Sequence, residues 1–387
     1  MVSVRIAEIG FWVAAALIVY VYLGYPLLLA LLNLFKRSVK ASLGYTPAIS
    51  VLIAAYNEEE AIGKKIAQTL ALDYPADKLE ILVLSDCSTD QTDAIVQGFG
   101  DPRVRLVRMA QRRGKTHAQN EGVQHARGEV LVFSDATTVY HPKALEYLAC
   151  NYQDPAIGAV SGRYQYFDTE GNSPTGLGTI VFWNYENMIK MLQSRLRTIS
   201  GCCGCIYSVR KAAYTDLADD VISDLVQPLQ VIRKGYRVRF EDRALAYEET
   251  TRSTAEEFSM RVRVVTRAMR GLLSVPDLLK PWKFAWTSFQ LMSHKVLRWM
   301  VPILLLIMLA ASGVLAAHPG FFRAVFLLQA LFYLSALLTT LVPLHRKFKA
   351  LGVPLYFCTL NAAALFSVVE VLRGRKYVVW QTVRNQS

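Results

Sequence analysis

The chain lacks paired Cys-x-x-Cys spacing. Its six cysteines, Cys87, Cys150, Cys202, Cys203, Cys205 and Cys358, make no zinc pattern. A small-residue cleavage site is missing after the N-terminal apolar stretch, which is also too long for the core of a secretory signal; a retained anchor is expected instead of a removed leader. Acidic residues are the sparse charges, 31 against 43 basic ones. That excess would suit nucleic acid, but it gathers beside apolar segments. Anionic lipid headgroups are therefore the expected partner, and no nucleic acid is.

Apolar residues are abundant. They make up 53% of 387 positions, more than a soluble domain of this size needs. Four stretches, Ile9 to Phe35, Trp299 to Ala317, Phe321 to Pro343 and Leu351 to Leu372, each approach the roughly 20 residues that cross hydrocarbon as helix. Lys36, Arg37 and Lys40 follow the first, and Lys280, Lys283, Lys295 and Arg298 precede the second. By the positive-inside tendency, the globular region between them faces the cytoplasm. No disulfide is expected there, because that compartment keeps thiols reduced.

Within the globular region, Ile49 to Ala54, Leu79 to Ser85 and Glu129 to Ser134 are nearly continuous apolar runs, the pattern of strands covered on both faces. Helical patterns at Glu58 to Leu72, Thr89 to Gly98 and Lys115 to Ala126 separate them. The alternation predicts an α/β domain with ligands beyond the carboxyl ends of its strands. Polar and acidic groups stand at all three ends: Tyr56, Asn57 and Glu58; Asp86; Asp135 and Thr137. Asp86 alone is equally a cap or turn residue, since Ser88 and Asp90 supply capping chemistry. Carboxylates converging on one edge are harder to explain that way.

In order and spacing, Val51-Leu-Ile-Ala-Ala-Tyr-Asn-Glu-Glu59, Ser85-Asp-Cys-Ser-Thr-Asp90, Gly114-Lys115 with Asn120-Glu-Gly122, and Phe133-Ser-Asp-Ala136 resemble family 2 inverting glycosyltransferases. The flanking helices, with Tyr22-Leu-Gly-Tyr-Pro26, resemble the membrane branch that includes hyaluronan and cellulose synthases. The resemblance implies a GT-A (Rossmann-like) nucleotide-sugar-binding domain with a mixed sheet, plus α-helical transmembrane segments. It divides the chain into an anchor (1–40), a cytoplasmic catalytic domain (41–252), amphipathic interfacial helices (253–295), transmembrane helices (296–372) and a basic tail (373–387). It further implies donor contacts from Ala54, Tyr56, Glu58, Asp86 and Lys115, and a divalent cation, Mg²⁺ or Mn²⁺, held by Asp135 between the donor phosphates. The family's Asp-x-Asp is Asp135-Ala136-Thr137 here, which removes one carboxylate. Asp224, in Ser223-Asp224-Leu225 ahead of Lys234-Gly-Tyr236, takes the position of the general base. Asp219 and Asp220 read as an exposed acidic turn.

Gly201-Cys-Cys-Gly-Cys-Ile-Tyr207 takes the place of the acceptor loop, with Gly201 and Gly204 allowing close approach of a sugar and the cysteines as small buried residues. Trp183 and Tyr185 read as core aromatics. Phe258, Val262, Val265, Met269 and Leu272 make one helical stripe suited to a membrane surface. Arg263 is what remains of the family's Gln-x-x-Arg-Trp; it pairs with the donor diphosphate or a carboxylate or, equally, meets lipid headgroups. Three crossings after a cytoplasmic domain would leave the tail outside, yet Arg373, Arg375, Lys376 and Arg384 favour the inside, as does Trp380-Gln-Thr-Val-Arg384, which resembles a cytoplasmic gating segment. The stretch from Leu351, bearing Asn361 and Glu370, is the one expected to lie in the interface or to re-enter. The expected function is sugar transfer from a nucleotide diphosphate sugar, a UDP-sugar foremost, with inversion, to a growing polysaccharide or lipid-linked acceptor at the inner membrane. An export or synthase partner subunit is compatible with that function. The alternative is an inactive homologue serving as membrane scaffold or glycan-binding subunit.

Overall fold

The computed structural model describes residues 2–36, 41–167, 176–249, 253–317, 319–342 and 348–379. Arg37, Lys40 and Trp380 to Arg384 lie outside them. A first helix, α1 (Ser3–Asn33), leads into strand β1 (Ile49–Ala55), helix α2 (Glu59–Leu70), β2 (Leu79–Ser85), α3 (Thr92–Gln97), β3 (Val104–Arg108), α4 (Lys115–His125) and β4 (Val130–Asp135). Then follow β5 (Val139–Tyr140), α5 (Ala144–Ala149), β6 (Ile157–Phe167), α6 (Gly176–Leu196), β7 (Ile206–Arg210), α7 (Ser223–Arg233) and β8 (Arg237–Glu249).

The eight strands among the described residues form one mixed sheet in the order β3-β2-β1-β4-β7-β6-β8-β5. Strands β3, β2, β1 and β4 run parallel, and β7 reverses direction against β4. Every residue of β1 is buried, which is why that segment reads as one apolar run. One core lies on each face. Ile53, Ile62, Ile66 and Val83 belong to one; Leu52, Leu84, Phe133 and Tyr207 belong to the other. Burying each such side chain contributes about 1.5–3 kcal/mol, so truncating Leu52 in the central strand costs about 2–5 kcal/mol. The chain leaves β1 toward β2 on one side and returns through β4 on the other. That reversal opens the crevice in which sheets of this kind bind ligands.

Among the described residues, four helices are long and apolar enough to cross a membrane: α1, α9 (Pro281–Leu315), α10 (Phe321–Leu341) and α11 (Gly352–Leu372). The expected break near residue 295 is a π turn at Met292–Val296 that carries α9 onward, and Trp282 at its start is 82% exposed, as suits an interfacial anchor. The helix before it, α8 (Thr254–Leu273), begins at Ser253, whose side chain accepts the Glu256 amide. Its apolar stripe meets protein: Phe258 packs edge-on against Phe366 at 5.5 Å, and Ser367 donates to the Val262 carbonyl. Accordingly α11 is 39% buried, against 11–22% for the other three long helices. Beyond α11 the chain returns to the globular domain, where Lys376 reaches Asp220 at 3.5 Å.

Candidate active site

Register aligns the strand ends. Ala54 stands opposite Asp135 and Leu84, and Ala55 opposite Ser85. Asn57 and Cys87, just past β1 and β2, adopt left-handed backbone (φ 53° and 65°), an uncommon conformation that marks both turns as functional candidates. The turns interlock. The Asn57 side chain accepts the Thr89 amide at 2.8 Å, the Glu58 amide donates to Thr92 Oγ1 at 2.8 Å, and Asp90 accepts from Glu59 and Thr92. Tyr56 lies beneath the Arg112 guanidinium, 3.5 Å from its ring centre, a cation–π pair over the face expected to stack on a base. Sequence gave no sign of Arg112, because the loop reaches Tyr56 only through the fold.

Asp86 is fully buried, and each carboxylate oxygen accepts a backbone amide, from Arg113 and Gly114, both at 2.9 Å. It therefore holds the loop that opens α4, while α3 takes its capping from Asp90. Burial pushes the Asp86 carboxyl above its ordinary range, and the two amides pull against that. Gly114 sits at φ 90°, and a side chain there would come within 2.2 Å of the Val378 carbonyl. Gly122 lets α4 press onto Leu84 and Leu52, so the Lys115 side chain is aimed along the crevice. Asn120 works elsewhere, bonding Tyr214 and the backbone of Leu217.

Lys115 makes an ion pair with Asp135 and lies 3.4 Å from the Gly204 carbonyl. Burial lowers its pKa, but Asp135 outweighs that and holds the ammonium above its ordinary value. Lys65, also buried, donates to the Thr138 carbonyl at 2.7 Å and fixes the turn after Asp135; its burial lowers it to about 7. Thr137, in place of the family's second carboxylate, contacts Glu248 of β8 at 3.3 Å.

Asp224 lies in the first turn of α7. A Cβ built on Gly204 would come within 2.7 Å of Asp224 Oδ2, whereas one on Gly201 would meet Leu225 at 3.4 Å. Gly204 is therefore the glycine that gives the carboxylate room, and the Asp224 carbonyl accepts the Cys202 amide at 2.8 Å. Burial raises the Asp224 pKa, opposed by Lys115, Lys190 and Lys295. Such a carboxylate is a better proton acceptor than an exposed one. Cys202, Cys203 and Cys205 are free and buried, as small packing residues.

Arg263 has no hydrogen-bond or ion-pair partner among the described residues; burial lowers its pKa and nearby Asp135 opposes that. One turn on, Arg267 is buried and bonds Thr116 and the carbonyls of Asp219 and Val221, pinning α8 to the crevice. Asp219 and Asp220 are not the exposed turn expected of them. Arg113 binds Asp219 at 2.7 Å and Arg270 binds Asp220 at 3.1 Å, because α4 and α8 converge there. Trp183 packs on Tyr164 and Tyr166, as a core aromatic would. Beside Asp224, a cavity of about 410 Å³ opens between α6, α8, α9 and α11. No cluster of three His, Cys, Asp or Glu occurs among the described residues. A hard divalent cation fits at Asp135 when donor phosphates and water complete its oxygen shell.

Residues 50–218 match the sequence profile described as Glycosyl transferase family 2. The poly-beta-1,6-N-acetyl-D-glucosamine synthase of Staphylococcus aureus is 28% identical over 247 residues, 59% of this chain and 58% of that protein. The synthase of the same name from Staphylococcus epidermidis is 29% identical over 240 residues, 59% and 57% respectively. The chain thus spans somewhat over half the length of these relatives. The solved mannosyltransferase PcManGT of Pyrobaculum calidifontis, in complex with GDP-Man and Mn²⁺, superimposes with a TM-score of 0.72 at 22% identity, over 95% of this chain and 99% of its own. That likeness establishes the GT-A fold.

Proposed function

Starting from a family 2 glycosyltransferase domain at residues 50–218, we propose that the chain is a membrane-embedded glycosyltransferase. It moves a sugar from a nucleotide diphosphate donor, with UDP-sugars the foremost candidates, to an acceptor hydroxyl, with inversion. One observation carries the reading: Lys115 bridges Asp135 to the Gly204 loop, and Gly204 abuts the Asp224 carboxylate. A donor-phosphate subsite and a base thus share one crevice. The nucleotide lies over the ends of β1 and β2, near Tyr56 and Asp86, with Glu58 at the rim. Lys115 and Arg263 stand beside the diphosphate and offset charge that grows as it leaves. Asp224 takes the proton of the acceptor hydroxyl as that oxygen attacks the anomeric carbon from the opposite side. A divalent cation at Asp135, when bound, adds Lewis-acid stabilisation of the same leaving group.

The proposal includes a topology. Residues 41–252 face the cytoplasm, α1, α9 and α10 cross the inner membrane, and α11 lies along its surface beside α8. Two crossings, α9 and α10, then separate the catalytic domain from the tail and leave the tail on the catalytic side, consistent with the approach of Lys376 to Asp220.

The test is release of nucleoside diphosphate from a panel of nucleotide sugars by purified protein in lipid, with Mg²⁺, Mn²⁺ or EDTA, beside Asp135→Ala. Turnover of one donor, lost in the variant, is expected. No turnover of any donor by folded protein supplied with acceptor lipids would favour the inactive scaffold.

A further inference from the structure

We infer that the cavity beside Asp224 is the seat of a lipid-linked acceptor whose phosphate is held by Lys190 and Lys295 and whose apolar chain lies between α6, α8 and α11. The inference deepens the transferase reading and rests on it for the role of Asp224; the binding site itself does not.

The cavity's walls are apolar on three sides. Phe182 of α6, Val264 and Val265 of α8, and Phe357 and Leu360 of α11 face it. A passage for a glycan chain needs polar groups to replace the water that each hydroxyl loses; Tyr22, Tyr185, Tyr356 and Asn361 supply some, but apolar surface predominates. Its charges are of a different kind. Four cations reach the cavity, Lys190, Arg261, Lys295 and Arg298, against two acids, Glu186 and Asp224.

Two of the cations are already neutralised. Arg298 is paired with Glu186, which also accepts from or faces His294 at 3.2 Å, and Arg261 is paired with Glu257 at 2.7 Å while donating to Tyr356. The other two are not. Lys190 is buried; its ammonium lies 5.6 Å from the centre of the Trp183 ring, bonds the Cys203 thiol at 3.0 Å, and has no carboxylate partner among the described residues. Lys295 has no hydrogen-bond or ion-pair partner among them, and Asp224 forms an ion pair with neither lysine. Two ammonium groups facing an apolar cavity are costly unless an anion joins them.

The ligand that complements such a site carries an anionic group next to a long apolar chain. A lipid phosphate has both. Its position beside helices α9 and α11, both apolar enough for a membrane, gives that chain a route from the bilayer. A sugar attached to the phosphate would place a hydroxyl at Asp224, which lines the same cavity. Bare inorganic phosphate would leave the apolar walls unfilled, and an uncharged lipid would leave the lysines unpaired.

Trp183 and Trp299 line the cavity, so binding can be read by intrinsic fluorescence of the full-length protein in detergent micelles. The probes are farnesyl phosphate, farnesol, inorganic phosphate and chitotetraose. Farnesyl phosphate is expected to bind at least about tenfold tighter than any of the others, with Lys295→Gln and Lys190→Gln each weakening it by about tenfold. Ala364→Trp, which fills the cavity without removing charge, should block it. Equal binding of farnesol would overturn the phosphate subsite, equal binding of inorganic phosphate would reduce it to a free-anion site, and preferred binding of chitotetraose would make the cavity a glycan passage. UDP binding is measured in the same samples. If farnesyl phosphate binds while no nucleotide does, the acceptor site stands and the donor reading fails; the converse leaves the donor reading intact and removes the lipid.

Discussion

Replacing Gly204 by alanine tests the geometry of the proposed base without touching it. The added methyl would sit 2.7 Å from Asp224 Oδ2 and 3.3 Å from its Cγ, with 3.4 Å the start of ordinary contact. The obstructing atom is the far end of a side chain, so the carboxylate can swing away and folding loses little. The carboxylate must withdraw by about 0.7 Å, and a misplacement of about 1 Å costs on the order of 100-fold in rate. Gly204→Ala should therefore lower kcat by roughly 10- to 100-fold, with donor KM within about twofold and melting nearly unchanged. Gly201→Ala is the control, because its methyl meets only Leu225 at 3.4 Å, and it should retain most of the activity. The assay is nucleoside diphosphate release with acceptor present, read across donor concentration. Undiminished kcat in Gly204→Ala would refute Asp224 as the base, whereas a matching loss in both glycine variants would assign the loop a general structural role.

Asp224→Asn should abolish transfer while leaving donor binding close to wild type, as checked by nucleotide titration beside turnover. Because burial raises the Asp224 pKa, its folded form holds a proton that the unfolded chain releases; its contribution to stability is present at low pH and is lost as pH rises through the raised value. Asp224→Asn should thus melt no lower than wild type at neutral pH, a readout that separates lost chemistry from lost fold. The same shift sets the acid limb of the pH–rate profile: turnover should fall, as pH is lowered, earlier than it would with an exposed aspartate, and an acid limb that persists in Asp224→Asn would refute the assignment. Arg263→Gln removes a cation with no protein partner among the described residues, so it should raise donor KM by about tenfold, equivalent to about 1.4 kcal/mol, with no change in melting. A cysteine placed at Lys376 should resist a membrane-impermeant thiol reagent applied outside intact cells and react once they are opened; labelling from outside would overturn the three-crossing topology.

The parallel half of the sheet was legible because buried parallel strands carry no alternation. Leu79 to Ser85 was delimited as observed, and Ile49 to Ala54 fell one residue short of β1. The mixed half, in which β7 runs antiparallel to β4 and β6 while β8 runs parallel to β6, was not legible. Strand β8 mixes Arg237, Arg239, Glu241 and Arg243 with apolar positions, and such a pattern becomes a strand only when β6 lies beside it. The same limit applied to the site. Asp86, Asp135 and Asp224 stand out individually, but their neighbours come from distant segments. Arg112 reaches Tyr56, Arg267 reaches Thr116 across 151 residues, and Arg113 neutralises Asp219. The amphipathic stripe of α8 suits a membrane surface and a helix partner equally, because sequence periodicity reports that one face is buried, not whether lipid or helix α11 buries it.

The missing carboxylate at Thr137 acquires meaning from the charges around it. A nucleotide diphosphate leaving a sugar needs positive charge at its oxygens, and a full Asp-x-Asp provides it indirectly by gathering a divalent cation. Here one carboxylate, Asp135, is already paired with an ammonium, Lys115. A second cation, Arg263, lies near enough to feel Asp135 without bonding to any described group. The amides that open α4 add a positive helix terminus. With one acid fewer and two organic cations close by, the crevice needs less charge from a metal than a two-carboxylate site does. The proposed enzyme should accordingly depend on Mg²⁺ or Mn²⁺ for rate more than for holding its donor, since donor binding can draw on Lys115 and Arg263 while a cation held at Asp135 would add Lewis-acid stabilisation of the leaving group.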